Sequence, residues 1–252
     1  MVARLETMHL TVDAFNTDFK RNLSYTIIGR DLLNCAELHA SKRGFGLNDI
    51  SPFGHSWVLS RLSIEMEKMP EVYEEYSVDT WIENIYRMFT NRNFCIRDSE
   101  GNPVGYARSV WAMIDNETRQ PLELMNIYGE QFQQFLFPEN PCPIESHSRL
   151  RPLVDAECTK KHVVTYSDID YNGHVNSIKY IEHVCNLFSL DFYSQHRLRR
   201  VEMAYVAETY YGNTLAFYMK ELAPLTYQVE VRKLVDSSET EEVVVRSKLC
   251  FE

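Results

Sequence analysis

The chain has 252 residues, of which 44% are hydrophobic, and it carries a formal net charge of −10. This length accommodates one large domain or two domains of about 100 to 150 residues each. The acidic balance argues against a nucleic-acid partner, because binding to phosphate backbones relies on clustered Lys and Arg. We therefore expect a globular protein that does not bind DNA or RNA.

The sequence shows no sign of export or of membrane insertion. Its first residues lack the apolar run of about 7 to 15 residues found in a signal peptide, and no stretch reaches the roughly 18 apolar residues of a membrane span. The six cysteines are scattered without a CxxC pair, which fits neither a disulfide framework nor a zinc site. These features predict reduced thiols, a cytoplasmic location and no membrane span.

The first half predicts one helix followed by an antiparallel sheet. Residues 25–28 look like a strand. A helix is predicted to begin near residues 29–32, because the apolar residues that follow have helical spacing and glycines supply stop signals. Extended patterns separated by turn signals then predict strands over residues 57–66, 76–82, 93–97 and 104–114.

The second half repeats this order after a proline-rich stretch. Four prolines lie between residues 127 and 157, so we predict a linker at residues 131–157 between domains at residues 1–130 and 158–252. Two copies of one long helix with several strands predict an α+β fold in which each sheet packs on its own helix. The elements predicted in the second half are a strand at 162–166, a helix at 175–190, and strands near 199–207, 214–222, 226–234 and 242–251.

Residues 168–177, with the sequence DIDYNGHVNS, join the predicted strand and helix of the second half. They place two carboxylates, two amides and an imidazole around one glycine. A helix that begins near His174 would bring its unpaired first-turn amides close to residues 170–174. Those amides and the helix dipole would favour developing negative charge there. The segment is thus a candidate catalytic loop.

The same residues also suit a simple turn, since Asn-Gly is a common turn dipeptide and Asp and Asn often cap helices. On chemistry alone the turn and the catalytic loop both stay open. A metal site formed by Asp168, Asp170 and His174 is a third alternative. It is disfavoured because the spacing matches none of the familiar ligand motifs, and we expect neither a metal nor a cofactor.

The sequence DYNGHVN at residues 170–176, followed by KYI at 179–181, resembles the catalytic segment of acyl-ACP thioesterases. The resemblance covers most of the chain and implies a double hotdog fold, with tandem antiparallel sheets each wrapped on a long helix. It also implies that the acyl chain lies in an apolar pocket of the N-terminal domain. Further landmarks of the family in the first half are Trp57, Thr80-Trp81, the turn at 98–101, Trp111 and Thr118-Arg119.

The resemblance also implies the catalytic residues, which are Asp170, Asn172 and His174 from the loop and Glu208 from a later strand. Thr209 occupies a position that is Cys in plant members, so a thiolate nucleophile is not available there. This departure favours attack by an activated water. We expect Asp170 or Glu208 to position and deprotonate the water, Asn172 and His174 to orient the carboxylates and substrate, and helix amides to polarise the carbonyl. Direct carboxylate attack through an anhydride stays open.

The function implied by this resemblance is release of free fatty acid from fatty acyl-acyl carrier protein, in fatty acid biosynthesis. The alternatives are a hotdog acyl-CoA thioesterase, a hotdog dehydratase and a non-catalytic acyl-binding protein. Acyl carrier protein is the expected partner, and a homodimer is also allowed. Because the carrier and this chain are both acidic, docking requires a local positive surface, which we predict at the basic residues 196–200.

Overall fold

The computed structural model describes residues 4–234 and 240–252, and the chain divides into two compact units, Met1–Ser146 and His147–Glu252. The segment predicted as a linker, residues 131–157, is shared between the two units. Phe132 in this segment is buried in the core of the first unit, where its ring lies 4.9 Å from the ring of Phe45. An aromatic side chain at this position therefore contributes to the first core.

The first unit is an antiparallel sheet with one long helix. Within the described residues, its strands lie in the order β1 (Leu5–Thr11), β3 (Glu75–Tyr86), β4 (Phe89–Asp98), β5 (Pro103–Asp115) and β2 (His55–Met66). Strand β1 was not predicted from the sequence, and it is held by antiparallel pairing with β3 in which Leu5 lies opposite Trp81. The elements are β1 (Leu5–Thr11), α1 (Tyr25–Ser41), α2 (Leu47–Ile50), β2 (His55–Met66), β3 (Glu75–Tyr86), β4 (Phe89–Asp98), β5 (Pro103–Asp115) and α3 (Leu124–Tyr128), with short 3-10 helices at Ala14–Asn16, Ser51–Phe53 and Gly129–Phe135.

The strand predicted at residues 25–28 is wrong, because these residues form the first turn of α1. The side chain of Ser24 caps this turn by accepting a hydrogen bond from the Ile27 N–H at 3.4 Å. Leu32 and Cys35 are fully buried, and the Cys35 thiol donates to the Val78 carbonyl oxygen of β3 at 3.3 Å. Capping and packing on the sheet thus outweigh the strand preference of a β-branched run.

The second unit is built on the same plan. Within the described residues its strands lie in the order β7 (Leu198–Tyr205), β10 (Glu241–Phe251), β9 (Thr226–Leu234), β8 (Thr214–Ala223) and β6 (Glu157–Val163). The recorded pairs among them are antiparallel. None of the helices in the described parts of either unit combines the length and the apolar composition needed to cross a membrane. The elements are β6 (Glu157–Val163), a 3-10 helix (Tyr166–Asp168), α4 (Ser177–Cys185), α5 (Leu190–Gln195), β7 (Leu198–Tyr205), β8 (Thr214–Ala223), β9 (Thr226–Leu234) and β10 (Glu241–Phe251).

The single helix predicted at residues 175–190 is wrong, because the structure has the two helices α4 and α5 in this region. The side chain of Ser189 caps α5 by accepting from the Phe192 N–H at 3.1 Å. Phe188, between the helices, packs its ring 5.1 Å from Phe192 and 4.8 Å from Phe251. The chain therefore bends where an aromatic cluster and a new cap together stabilise a second helix.

We predict that Ser24→Ala lowers the free energy of unfolding by about 1 kcal/mol, because it removes the N-cap acceptor of α1. Urea denaturation followed by circular dichroism measures this change. Ser99→Ala, at an exposed turn position, is the control and should change stability by less than about 0.5 kcal/mol. Equal effects of the two substitutions would contradict the capping role of Ser24.

Candidate active site

The segment 168–177 forms a tight loop before α4. The Asp170 carboxylate accepts a hydrogen bond from the Asn172 N–H at 2.8 Å. The Asp170 N–H donates to the His174 carbonyl oxygen at 2.9 Å, and the Gly173 N–H donates back to the Asp170 carbonyl oxygen at 3.0 Å. Gly173 has a φ of +80°, a left-handed conformation that glycine adopts without strain. The loop is therefore a turn, and this turn fixes the spacing of the candidate catalytic residues.

The helix expected to begin near His174 begins three residues later, at Ser177. Asn176 is its N-cap, and its side chain accepts from the Ile178 N–H at 2.9 Å. The Asn176 carbonyl oxygen accepts from the Lys179 N–H, also at 2.9 Å. These two amides are already bonded within the helix start, so the structure does not direct them at a substrate carbonyl.

Glu208 lies in the loop that follows β7, and not on a strand as predicted. A backbone hydrogen bond of 2.9 Å, from the Val175 N–H to the Thr209 carbonyl oxygen, joins this loop to the segment 168–177. The His174 Nδ1 atom lies 3.5 Å from Glu208 Oε1. The structure thus brings together His174 and Glu208, although they are far apart in sequence.

Tyr210 completes this arrangement and was not found by sequence reasoning. Its hydroxyl donates to Glu208 Oε2 at 3.3 Å. Its ring packs edge-on against the His174 imidazole, with 5.0 Å between ring centroids. The side chains of His174 and Glu208 are 23% and 34% exposed, so water and substrate can reach both. Asp170 is half-buried and Asn172 is exposed on the same loop.

Thr209, at the position of the plant cysteine, is almost fully buried. Its hydroxyl accepts a hydrogen bond of 2.9 Å from the Tyr180 hydroxyl. Burial raises the pKa of Tyr180 to about 12, so this donor stays protonated at neutral pH. The Thr209 hydroxyl is therefore part of the protein interior.

Asp168 does not join Asp170 and His174 in a metal site, which was the disfavoured third alternative. Its carboxylate is buried and instead lies 2.8 Å from His162 Nε2 and 2.9 Å from His183 Nε2. Sequence reasoning missed both histidines, because they lie on separate elements and have no ligand-like spacing to Asp168. Burial would raise the pKa of Asp168, but the hydrogen bonds from Thr165 and both imidazoles hold it well below its usual range.

Both halves of the chain match models of one protein family. Residues 5–131 match the acyl-ACP thioesterase N-terminal domain, and residues 153–249 match the acyl-ACP thioesterase C-terminal domain. The candidate loop and Glu208 lie in the second match.

Solved structures have the same fold over nearly the whole chain. An acyl-ACP thioesterase from Bacteroides thetaiotaomicron is 46% identical, with a TM-score of 0.90 over 99% of this chain and 98% of that chain. The 12:0-ACP thioesterase from Umbellularia californica is 17% identical and shares the fold, with a TM-score of 0.87 over 100% of this chain and 98% of that chain. The predicted α+β double hotdog fold is confirmed.

The chain also matches part of a longer curated relative. Oleoyl-acyl carrier protein thioesterase 2, chloroplastic, from Arabidopsis thaliana is 26% identical over 160 residues. The match covers 60% of this chain and 44% of the relative, so the chain spans less than half the length of that protein.

We predict that Asp168→Asn lowers the free energy of unfolding by about 2 to 4 kcal/mol, because it removes a buried charge that accepts several hydrogen bonds. The pKa of Asp168 is lowered in the folded state. Its ionised carboxylate therefore contributes fully to the free energy of unfolding above the unfolded pKa of about 3.9, and this contribution is lost as pH falls further. The difference from wild type should therefore shrink below about pH 4.

Urea denaturation between pH 7 and pH 3 measures this difference. Asp170→Asn is the matched control, because the side-chain oxygen of the new Asn can still accept the hydrogen bond from the Asn172 N–H. It should leave stability nearly unchanged. If Asp170→Asn proved as destabilising as Asp168→Asn, the assignment of a structural role to Asp168 alone would be wrong.

Proposed function

Because the chain belongs to the acyl-ACP thioesterase family, we propose that it hydrolyses the thioester of fatty acyl-acyl carrier protein and releases free fatty acid. The observation that carries this proposal is the approach of His174 Nδ1 to Glu208 Oε1, at 3.5 Å. His174 lies in the same loop as Asp170, and the residue types of this loop suit hydrolysis by water. The family's catalytic group, carried over residue by residue, is Asp170, Asn172, His174 and Glu208.

In the proposed reaction, Asp170 or Glu208 takes a proton from a water molecule as its oxygen attacks the thioester carbonyl. The tetrahedral intermediate then expels the carrier's thiolate. This leaving group needs little acid assistance, because its conjugate acid has a pKa of about 8.5 by analogy with cysteine. The proton held by the carboxylate returns to the solvent or the thiolate, and the fatty acid leaves.

His174 and Asn172 position the reacting groups in this proposal. The imidazole of His174 lies 3.5 Å from Glu208 and packs against the ring of Tyr210, so it orients the carboxylate. The amides of Ile178 and Lys179 already have acceptors. We therefore assign stabilisation of the oxyanion to the exposed side-chain amide of Asn172.

The acyl chain is proposed to bind in the first unit, as the family resemblance implies. A cavity of about 60 Å³ lies there between α1 and the sheet. This is smaller than the 300 to 1,000 Å³ of most ligand pockets, so longer chains require side chains to move. Its apolar lining residues include Leu33, Ala36, Phe45, Trp57, Ile82 and Trp111.

The cell compartment and the assembly are further proposals. All six cysteines are free thiols, which supports a reducing compartment and hence the cytoplasm. Formation of a homodimer is a separate proposal that sedimentation velocity of the purified chain tests.

We predict that Asp170→Ala, His174→Ala and Glu208→Ala each lower kcat by about a hundredfold or more, because each removes a group that acts on the same water. The readout is release of free fatty acid from acyl-ACPs of graded chain length. Thr209→Ala is the control and should have a much smaller effect on kcat, because its hydroxyl is buried. A loss as large as that of His174→Ala would require a hydroxyl nucleophile or an essential Thr209 contact.

The same assay separates the alternative functions. Faster hydrolysis of acyl-CoA than of acyl-ACP would favour the acyl-CoA thioesterase. Release of water from a 3-hydroxyacyl thioester that stays intact would identify a dehydratase. Binding of acyl-ACP without release of acid at any chain length would favour an acyl-binding protein and contradict the proposed hydrolysis.

Carrier docking is proposed at residues 196–200, although this surface is less positive than the sequence suggests. Arg197 and Arg199 both form ion pairs with Glu252, and Arg200 is buried against Glu202. About a third of each of the Arg197 and Arg199 side chains is exposed. These two guanidinium groups are the ones that we propose to meet the acidic carrier.

We predict that the double substitution Arg197→Glu and Arg199→Glu raises the KM for acyl-ACP several-fold, with little effect on a small carrier-free thioester. Glu252→Gln should lower the KM for acyl-ACP, because it removes a carboxylate charge that pairs with both arginines. Added salt should weaken only the acyl-ACP reaction, since screening acts over about 8 to 10 Å at ordinary ionic strength. Equal losses on both substrates would assign these residues to folding or to the site, and an unchanged KM would exclude them as the docking surface.

A further inference from the structure

Three side chains outside the catalytic group meet inside the second unit. His162 comes from β6, Asp168 from the 3-10 helix that follows it, and His183 from α4. The two Nε2 atoms lie 2.8 Å and 2.9 Å from different oxygens of the Asp168 carboxylate. The imidazole rings are 4.2 Å apart and inclined by 41°. Two imidazole nitrogens and one carboxylate therefore offer ligand atoms that all lie within 4.8 Å of one another.

This cluster is held in place by its surroundings. Thr165 binds Asp168 Oδ2 twice, through its N–H at 2.8 Å and through its hydroxyl at 3.0 Å. The His183 ring packs edge-on against Phe217, at 6.0 Å between centroids. Outer hydrogen bonds and packing of this kind fix the ligands of metal sites in the orientation needed for binding.

We infer that His162, Asp168 and His183 form a binding site for a divalent first-row transition metal such as Zn²⁺. Two histidines and one carboxylate are a donor set that such metals take, with solvent water completing the coordination. At metal–ligand distances of about 2.0 to 2.2 Å, tetrahedral ligand atoms are separated by roughly 3.4 Å. The present separations of 2.8 Å and 2.9 Å are shorter, so binding needs an outward shift of about half an ångström.

Each coordinating Nε2 atom must be without its proton when a metal binds. A neutral imidazole meets this requirement by carrying its proton on Nδ1 instead, without net proton release. The His162 side chain is 22% exposed and provides the side from which the ion and its water enter.

The site is independent of the proposed hydrolysis. Its three ligands are not members of the catalytic group, and no thioester is needed to detect the metal. Asp168 is nevertheless the first residue of the candidate catalytic loop, and its carbonyl oxygen accepts from the Asn176 N–H at 2.8 Å. A bound ion would therefore stiffen the start of that loop.

Titration of the metal-free 252-residue chain with ZnCl₂ alone, followed by calorimetry, tests this inference. We expect saturable binding of one ion at these residues and a Tm that rises by several degrees at saturating Zn²⁺. MgCl₂ should cause neither effect, because Mg²⁺ prefers oxygen ligands. In the wild-type chain, the imidazole nitrogen NMR signals of His162 and His183 should shift on zinc addition.

His162→Gln is the decisive variant, because the Gln side-chain amide can still donate to Asp168 but is a poor metal ligand. Zinc affinity should fall at least about tenfold, as changes around metal ligands typically cause, while the Tm without metal stays near that of wild type. Cys158→Ser removes an exposed thiol and should bind zinc as wild type does.

Each of several results would overturn the site. Among them are the absence of saturable zinc binding by the wild-type chain, equal zinc affinities of wild type and His162→Gln, and loss of binding in Cys158→Ser. If His162→Gln does not fold, the imidazole NMR signals still test metal binding at this site, because they are measured on the wild-type chain. Unshifted signals at saturating zinc would also overturn the inference.

Discussion

The Asp168 carboxylate is the interaction on which the second unit depends. It is buried, and its partners come from β6, from the Thr165 turn and from α4 through His183. Its own backbone carbonyl holds the Asn176 N–H at the cap of α4. A single charge thus connects a strand, a turn and a helix. Burying a carboxylate without hydrogen-bond partners costs free energy. The strand, the turn and the helix must therefore all be folded for Asp168 to be buried.

The candidate active site is built outward from this anchor. With residue 168 fixed inside and the cap of α4 fixed by Asn176, the residues between them have only a short turn to span. That turn places Asp170 and His174 at the surface, where the loop carrying Glu208 meets it through the Val175–Thr209 backbone bond. Two aspartates separated by one residue therefore have different roles, the inner one in structure and the outer one in the proposed chemistry.

The first unit has the same plan but a different polar interior. His39 of α1 is buried, and burial together with the nearby Arg92 lowers its pKa to about 2. The neutral imidazole has Arg92 Nη2 3.4 Å from its Nδ1 atom and the Arg4 carbonyl oxygen 3.3 Å from its Nε2 atom. Burial lowers the pKa of Arg92 itself to about 10. This unit uses its buried polar groups to join helix and sheet, and its helix begins at a plain Ser24 cap without a counterpart of the 168–177 loop.

The sequence by itself determined most strands, the two-part organisation and the loop at residues 168–177, because these depend on local alternation, turn residues and short motifs. The family resemblance added Glu208, which no local pattern distinguishes. Only the tertiary structure decided the start of α1, the break between α4 and α5, and the pairing of His174 with Glu208 and Tyr210. It also decided that Asp168 faces His162 and His183. Each of these depends on which distant side chains come into contact, and a side chain's partners across the fold are set by packing and burial rather than by its neighbours in sequence.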